Sequence, residues 1–178
     1  MMTAIHTTIW SASSSFGLDT AAAMAHKLYR DYQRYRNATS TDDRRDAAIN
    51  GAVTAWHVCE WVWTGITSYD RNSADIKSFL GIVGRPMERG DIQDWAEREC
   101  PSLSICRSIC NGSKHVISDR SMRTEMDAPD PNERGRGKQL VARAIIKHPD
   151  GSITDMERVL LDALDFWGHQ VTNEGAMR

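Results

Sequence analysis

The segment from about residue 43 to 64 constrains this chain most, because apolar side chains cover nearly the whole circumference of a helix. Ser40 or Thr41 is a suitable N-cap, and Asp42 and Asp43 favour the positive end of the helix. The apolar positions are Ala48, Ile49, Ala52, Ala55, Trp56, Val58, Cys59, Val62 and Trp63. A helix that is apolar on most sides is a buried one, so we predict a central helix enclosed by other elements.

Amphipathic segments before and after this helix supply its expected neighbours. Asp19 is placed to cap a helix over 20–36, with an inner face that includes Tyr29, Tyr32 and Tyr35 and an outer face that includes Asp31. Further helices are predicted over 73–80, 91–99, 101–113 and from about 155 to 167. The last of these has the clearest apolar stripe, which ends at Phe166 and Trp167.

The composition changes after residue 118. The segment 118–138 is charged, contains two prolines and lacks periodicity, which predicts a loop. Residues 140–147 predict a strand, and the turn Pro149-Asp150-Gly151 predicts a hairpin back to Ser152-Ile153. The expected fold is therefore mainly α: a helical bundle with a small C-terminal β-hairpin and a terminal amphipathic helix. We expect one domain over 18–178, preceded by a flexible arm over 1–17.

Charge and cysteine content narrow the function classes. The net charge is −2, which argues against strong nonspecific binding to nucleic acid or to a membrane. No transmembrane segment or signal peptide is evident, and we expect a cytoplasmic protein with reduced thiols. Cys100, Cys106, Cys110 and His115 are potential zinc ligands, but their spacing lacks CxxC pairs. We therefore expect no bound metal, and no cofactor motif is present.

Two groups of polar residues are candidates for chemistry. Arg107, Asn111 and His115 are spaced four and four, so that one helix face can hold a phosphate and exchange a proton. The central helix carries His57 in its one polar lane, which we define as Asn50, Thr54, His57 and Glu60. The alternative for both groups is a solvated or internally bonded polar face without chemistry.

The residues Arg107-Ser108-Ile109-Cys110-Asn111-Gly112-Ser113-Lys114-His115, between long helices and a loop, resemble the HEPN helical-bundle family. The resemblance implies a metal-independent ribonuclease site with an arginine and a histidine, often formed across a dimer. Seven residues separate Arg107 from His115, one more than the family pattern.

Two function classes follow. The first is an interaction or assembly protein that forms a homo-oligomer or binds a protein partner, as the concentration of tryptophan on the central helix suggests. The alternative is a HEPN-like ribonuclease, or another enzyme acting on phosphate esters, in which RNA is the partner. Arg107, Asn111, His115 and His57 are its predicted catalytic residues, and the distance between His57 and His115 would discriminate the classes.

Overall fold

The computed structural model describes residues 16–70, 73–114, 122–129 and 140–171. Within these ranges the chain is mainly helical with a small antiparallel sheet and a final helix, which confirms the predicted fold class. The predicted arm over 1–17 lies almost entirely outside the described residues. The elements are α1 (Ala21–Asn37), α2 (Thr41–Asp70), α3 (Ala74–Phe79), α4 (Arg89–Glu99), α5 (Ser102–Lys114), β1 (Arg123–Asp127), β2 (Arg143–Lys147), β3 (Ile153–Asp155) and α6 (Met156–Val171).

Helix α2 is the centre of the molecule, as its apolar circumference predicts. It packs against α1, α4, α5, α6 and β2. Ala52, Ala55, Val58 and Cys59 are completely buried, and the helix extends further at both ends than expected. The other long helices and the central strand β2 are therefore positioned by their contacts with α2.

Helix α1 differs from its prediction at its N-cap and at Tyr29. Thr20, rather than Asp19, caps the helix and accepts a hydrogen bond from the Ala23 amide at 3.0 Å. Tyr32 and Tyr35 are buried as predicted, whereas Tyr29 is exposed.

The prediction for Asp31 is also wrong, because this carboxylate is 2% exposed instead of lying on the outer face. Its Oδ2 accepts from Thr54 Oγ1 of α2 at 2.8 Å and from Lys27 Nζ at 2.6 Å, while Arg34 binds Oδ1 at 2.7 Å. Burial of a carboxylate is tolerated where hydrogen bonds and cations compensate for its lost hydration.

The sheet has the order β1-β2-β3 and is antiparallel throughout. Strands β2 and β3 form the predicted hairpin, but β1 lies inside the segment predicted to be a loop. That prediction is wrong for residues 123–127 because cross-strand ion pairs, and not apolar alternation, accompany the pairing. Lys147 contacts Glu125 at 2.5 Å, and Arg143 contacts Asp127 at 3.2 Å.

Helix α6 packs on α1, α2 and α5 and completes the core. Its completely buried side chains include Val159, Leu160, Ala163 and Trp167, in agreement with the predicted stripe. In the described ranges, no helix is both long and apolar enough to cross a bilayer.

Candidate functional site at the contact of α2 and α5

The polar lane of α2 does not line a single cleft, because its members contact three different helices. Thr54 bonds Asp31 on α1, and Glu60 accepts from Arg89 and Gln93 on α4 at 3.3 Å each. His57 alone turns toward α5. Helical periodicity predicted the lane as one surface, because periodicity contains no information about which neighbouring helix packs against each residue.

His57 contacts the last two turns of α5 through a single ring nitrogen. Its Nε2 lies 3.4 Å from Lys114 Nζ and 3.7 Å from Cys110 Sγ. An ammonium has only donor hydrogens, so a hydrogen bond from Lys114 uses Nε2 as its acceptor. The ring proton is then assigned to Nδ1, and the imidazole is neutral.

The surroundings of His57 keep this ring neutral near physiological pH. Partial burial lowers its pKa, the ammonium of Lys114 lowers it further, and Lys27 contributes in the same direction. The carboxylate of Glu60 opposes these effects. The ammonium of Lys114 beside the neutral ring provides a positive charge that can attract an anion.

Arg107 lies on the same flank of α5 as Lys114 and is held against α2. Its Nη1 is 3.3 Å from both carboxylate oxygens of Glu97, and its guanidinium lies over the Trp56 ring at 5.5 Å. Trp56 immediately precedes His57, so Arg107 and Lys114 contact adjacent residues of the central helix. A guanidinium has five donor hydrogens, and the bonds to Glu97 use one of its nitrogens.

Asn111 and His115 are the other two predicted site residues, and α5 ends between them in the sequence. Asn111 is exposed one turn after Arg107, whereas His115 lies outside the described residues, directly after the last residue of the helix. The predicted proximity of Arg107 or His57 to His115 therefore stays a prediction. The contact of Lys114 with His57 was missed as part of the site, although Cys110 and Lys114 stand at i and i+4 on a helix and thus share a face.

The four cysteines are free and buried. Burial raises the pKa of the thiols of Cys59, Cys100 and Cys106, which makes them poor nucleophiles and poor metal ligands. Among the residues that the structure describes, no group of three or more histidine, cysteine or acidic residues is arranged to hold a metal ion.

Two adjoining cavities lie on the opposite flank of α5, where it faces β1. Their volumes are about 340 and 450 Å³, and both are lined by Ile49, Ile109, Thr124 and Glu125. His57, Arg107 and Asn111 do not line either cavity. The polar site and the cavities are therefore separate features on the two flanks of one helix.

No family model, curated protein or solved structure matches the chain. The geometry of the α2–α5 contact is consequently the basis for assigning a function.

Proposed function

We propose that the α2–α5 contact binds phosphate groups of RNA and that the protein is a metal-independent ribonuclease of the HEPN-like type. The observation that carries this proposal is the contact between the neutral His57 and the Lys114 ammonium. It combines a proton acceptor and a cation at a surface of the molecule, as general-base attack on a phosphate ester requires.

His57 supplies the proton-accepting step of this chemistry. When the Lys114 ammonium moves from Nε2 to a phosphate oxygen, the freed Nε2 lone pair accepts the proton of a ribose 2′-hydroxyl, and the resulting oxygen attacks the adjacent phosphorus. The bond from phosphorus to the 5′ oxygen breaks, and that oxygen needs a proton. We assign the proton donation to His115, which follows Lys114 in the chain and is the histidine that the family resemblance implies.

The cations of α5 stabilise the charge that develops on the phosphate. Arg107 and Lys114 are seven residues apart, which places their backbones about 10 Å apart along the helix axis. Two cations at this separation can contact different phosphates of one RNA strand. Asn111 lies exposed between them and is positioned to donate to a phosphate oxygen.

The test is cleavage of a fluorescently labelled single-stranded RNA of mixed sequence in the presence of a chelator. The full-length protein should cleave the RNA, and His57→Gln and His115→Ala should each reduce the rate by orders of magnitude while retaining the far-UV circular dichroism spectrum. Lys114→Gln should weaken RNA binding and reduce its dependence on salt concentration.

The matched control is His169→Gln, which removes an exposed histidine on α6. This variant should cleave RNA at the rate of the unmodified protein. RNA that is neither bound nor cleaved by the unmodified protein would refute the proposal. Cleavage that survives His57→Gln would move the reaction away from the α2–α5 contact.

A second candidate function is the self-associating assembly protein expected from the sequence. It is supported by the outer edge of β1, since no other described strand pairs with that edge and Arg123, Thr124 and Glu125 are exposed. An open edge is a template for pairing with another chain. Light scattering on the purified protein should then give a mass above that of the 20.0 kDa monomer.

A further inference from the structure

Strand β1 has an uneven distribution of charge along a short exposed edge. Its sequence is Arg-Thr-Glu-Met-Asp, with the cation at the first position and carboxylates at the third and fifth. β2 occupies one side of the strand, and the opposite side has no partner among the described strands. Of the two carboxylates, Asp127 is paired with Arg143, and Glu125 with Lys147, both across the β1–β2 ladder.

Symmetry limits how a second copy can use this edge. Two identical strands related by a two-fold axis pair antiparallel, and each contact then occurs twice. An axis through Thr124 places Arg123 opposite the partner's Glu125 and Met122 opposite the partner's Met126. All five residues of this pairing, 122–126, belong to the described part of the chain.

The neighbouring register is less favourable for the same strand. An axis through Glu125 places this carboxylate opposite its own copy, and like charges that face each other across a ladder are destabilising. In the register centred on Thr124, two Arg–Glu pairs form and the residue on the axis is uncharged.

We propose that the partner of β1 is β1 of a second copy of this chain, paired antiparallel about Thr124 to form a continuous six-stranded sheet. This inference rests on the assembly candidate and is independent of the proposed phosphate site. The backbone hydrogen bonds of the new ladder provide the association, while Arg123 and Glu125 select the register.

The first experiment reverses the charges and measures the dimer dissociation constant by sedimentation equilibrium. Arg123→Glu replaces two attractive contacts with two repulsive ones and should raise the dissociation constant roughly tenfold to a hundredfold. The double variant Arg123→Glu/Glu125→Arg re-creates both pairs and should bring the constant back toward that of the unmodified protein. Arg98→Glu, a reversal at an exposed arginine of α4, is the control and should leave it unchanged.

The second experiment uses the symmetry axis directly. Residues opposite each other on paired strands approach closely enough for a disulfide, so Thr124→Cys should form a covalent dimer with a mild oxidant. Ala128→Cys, an exposed position beyond the strand, should not. The four native cysteines are buried and should not cross-link in the folded protein.

The outcomes separate the inference from its premise. A monomeric protein would overturn both self-association and the β1 interface. A dimer that is insensitive to Arg123→Glu and is not cross-linked through Thr124→Cys would preserve self-association and overturn this interface. Neither result would bear on RNA cleavage.

Discussion

Replacement of Trp167 tests how firmly α6 is attached to the central helix. The side chain is completely buried, and its Nε1 donates to the carbonyl oxygen of Ala55 on α2 at 2.9 Å. Its ring lies 4.8 Å from Phe166 and 6.2 Å from Trp95, measured between centroids. One residue therefore joins α6 to α2 by a hydrogen bond and to α4 by aromatic packing.

Two substitutions separate these contributions. Trp167→Ala removes the ring and leaves a cavity, which should lower the free energy of unfolding by about 3–5 kcal/mol. Trp167→Phe keeps an aromatic ring but loses the hydrogen bond, at a cost of about 1 kcal/mol, together with a smaller unfilled volume that costs a similar amount. The expected loss for Trp167→Phe is thus about 2 kcal/mol.

Equilibrium denaturation in urea, followed by far-UV circular dichroism, measures both variants. In a chain of this size, the expected loss for Trp167→Ala corresponds to a fall in Tm of roughly 6–20 °C. Leu161→Ala, on the more exposed face of α6, is the control and should cost less than about 1 kcal/mol. If Trp167→Ala and Leu161→Ala were equally stable, the argument that Trp167 anchors α6 would be refuted.

Four further predictions concern stability and reactivity. Asp31→Ala should lower the free energy of unfolding in urea by about 3 kcal/mol, because it leaves the partly buried ammonium of Lys27 without its carboxylate. Arg34→Ala should lower it by less than about 1 kcal/mol, because that guanidinium is largely exposed. Gly51→Ala should destabilise by about 1–3 kcal/mol despite the better helix propensity of alanine, since the new Cβ would lie 2.8 Å from Leu160 Cδ2; a more stable variant would contradict this. The lowered pKa of His57 means that the unfolded chain binds its proton first. The free energy of unfolding, measured in urea at a series of pH values, should therefore fall as the pH drops below about 6.5 toward the folded-state pKa. The His57→Gln variant, measured in the same way, should lack this loss. A thiol reagent should react fully only after denaturation, and rapid reaction of the folded protein would contradict the burial of Cys59, Cys100, Cys106 and Cys110.

Helical structure could be predicted because its causes are local. Apolar side chains cover nearly the whole circumference of α2 and repeat with the period of the helix in α6, and the Ser73 cap of α3 stands where the sequence indicates it. Strand β1 was missed for the opposite reason. Its residues are mostly charged, and its pairing depends on Arg143 and Lys147, which are remote in the chain and lie on β2.

The candidate site was likewise only partly predictable from the sequence. Periodicity on α5 was sufficient to group Arg107 and Asn111, and it identified His57 as a polar residue on an otherwise apolar helix. Periodicity did not reveal that Asp31 and Thr54 would satisfy each other between α1 and α2, or that Lys114 would meet His57. A hydrophobic stripe specifies which side of a helix is turned inward. The neighbour against which each side packs depends on how α1, α4, α5 and α6 share the surface of α2, and that follows from the packing of the whole chain.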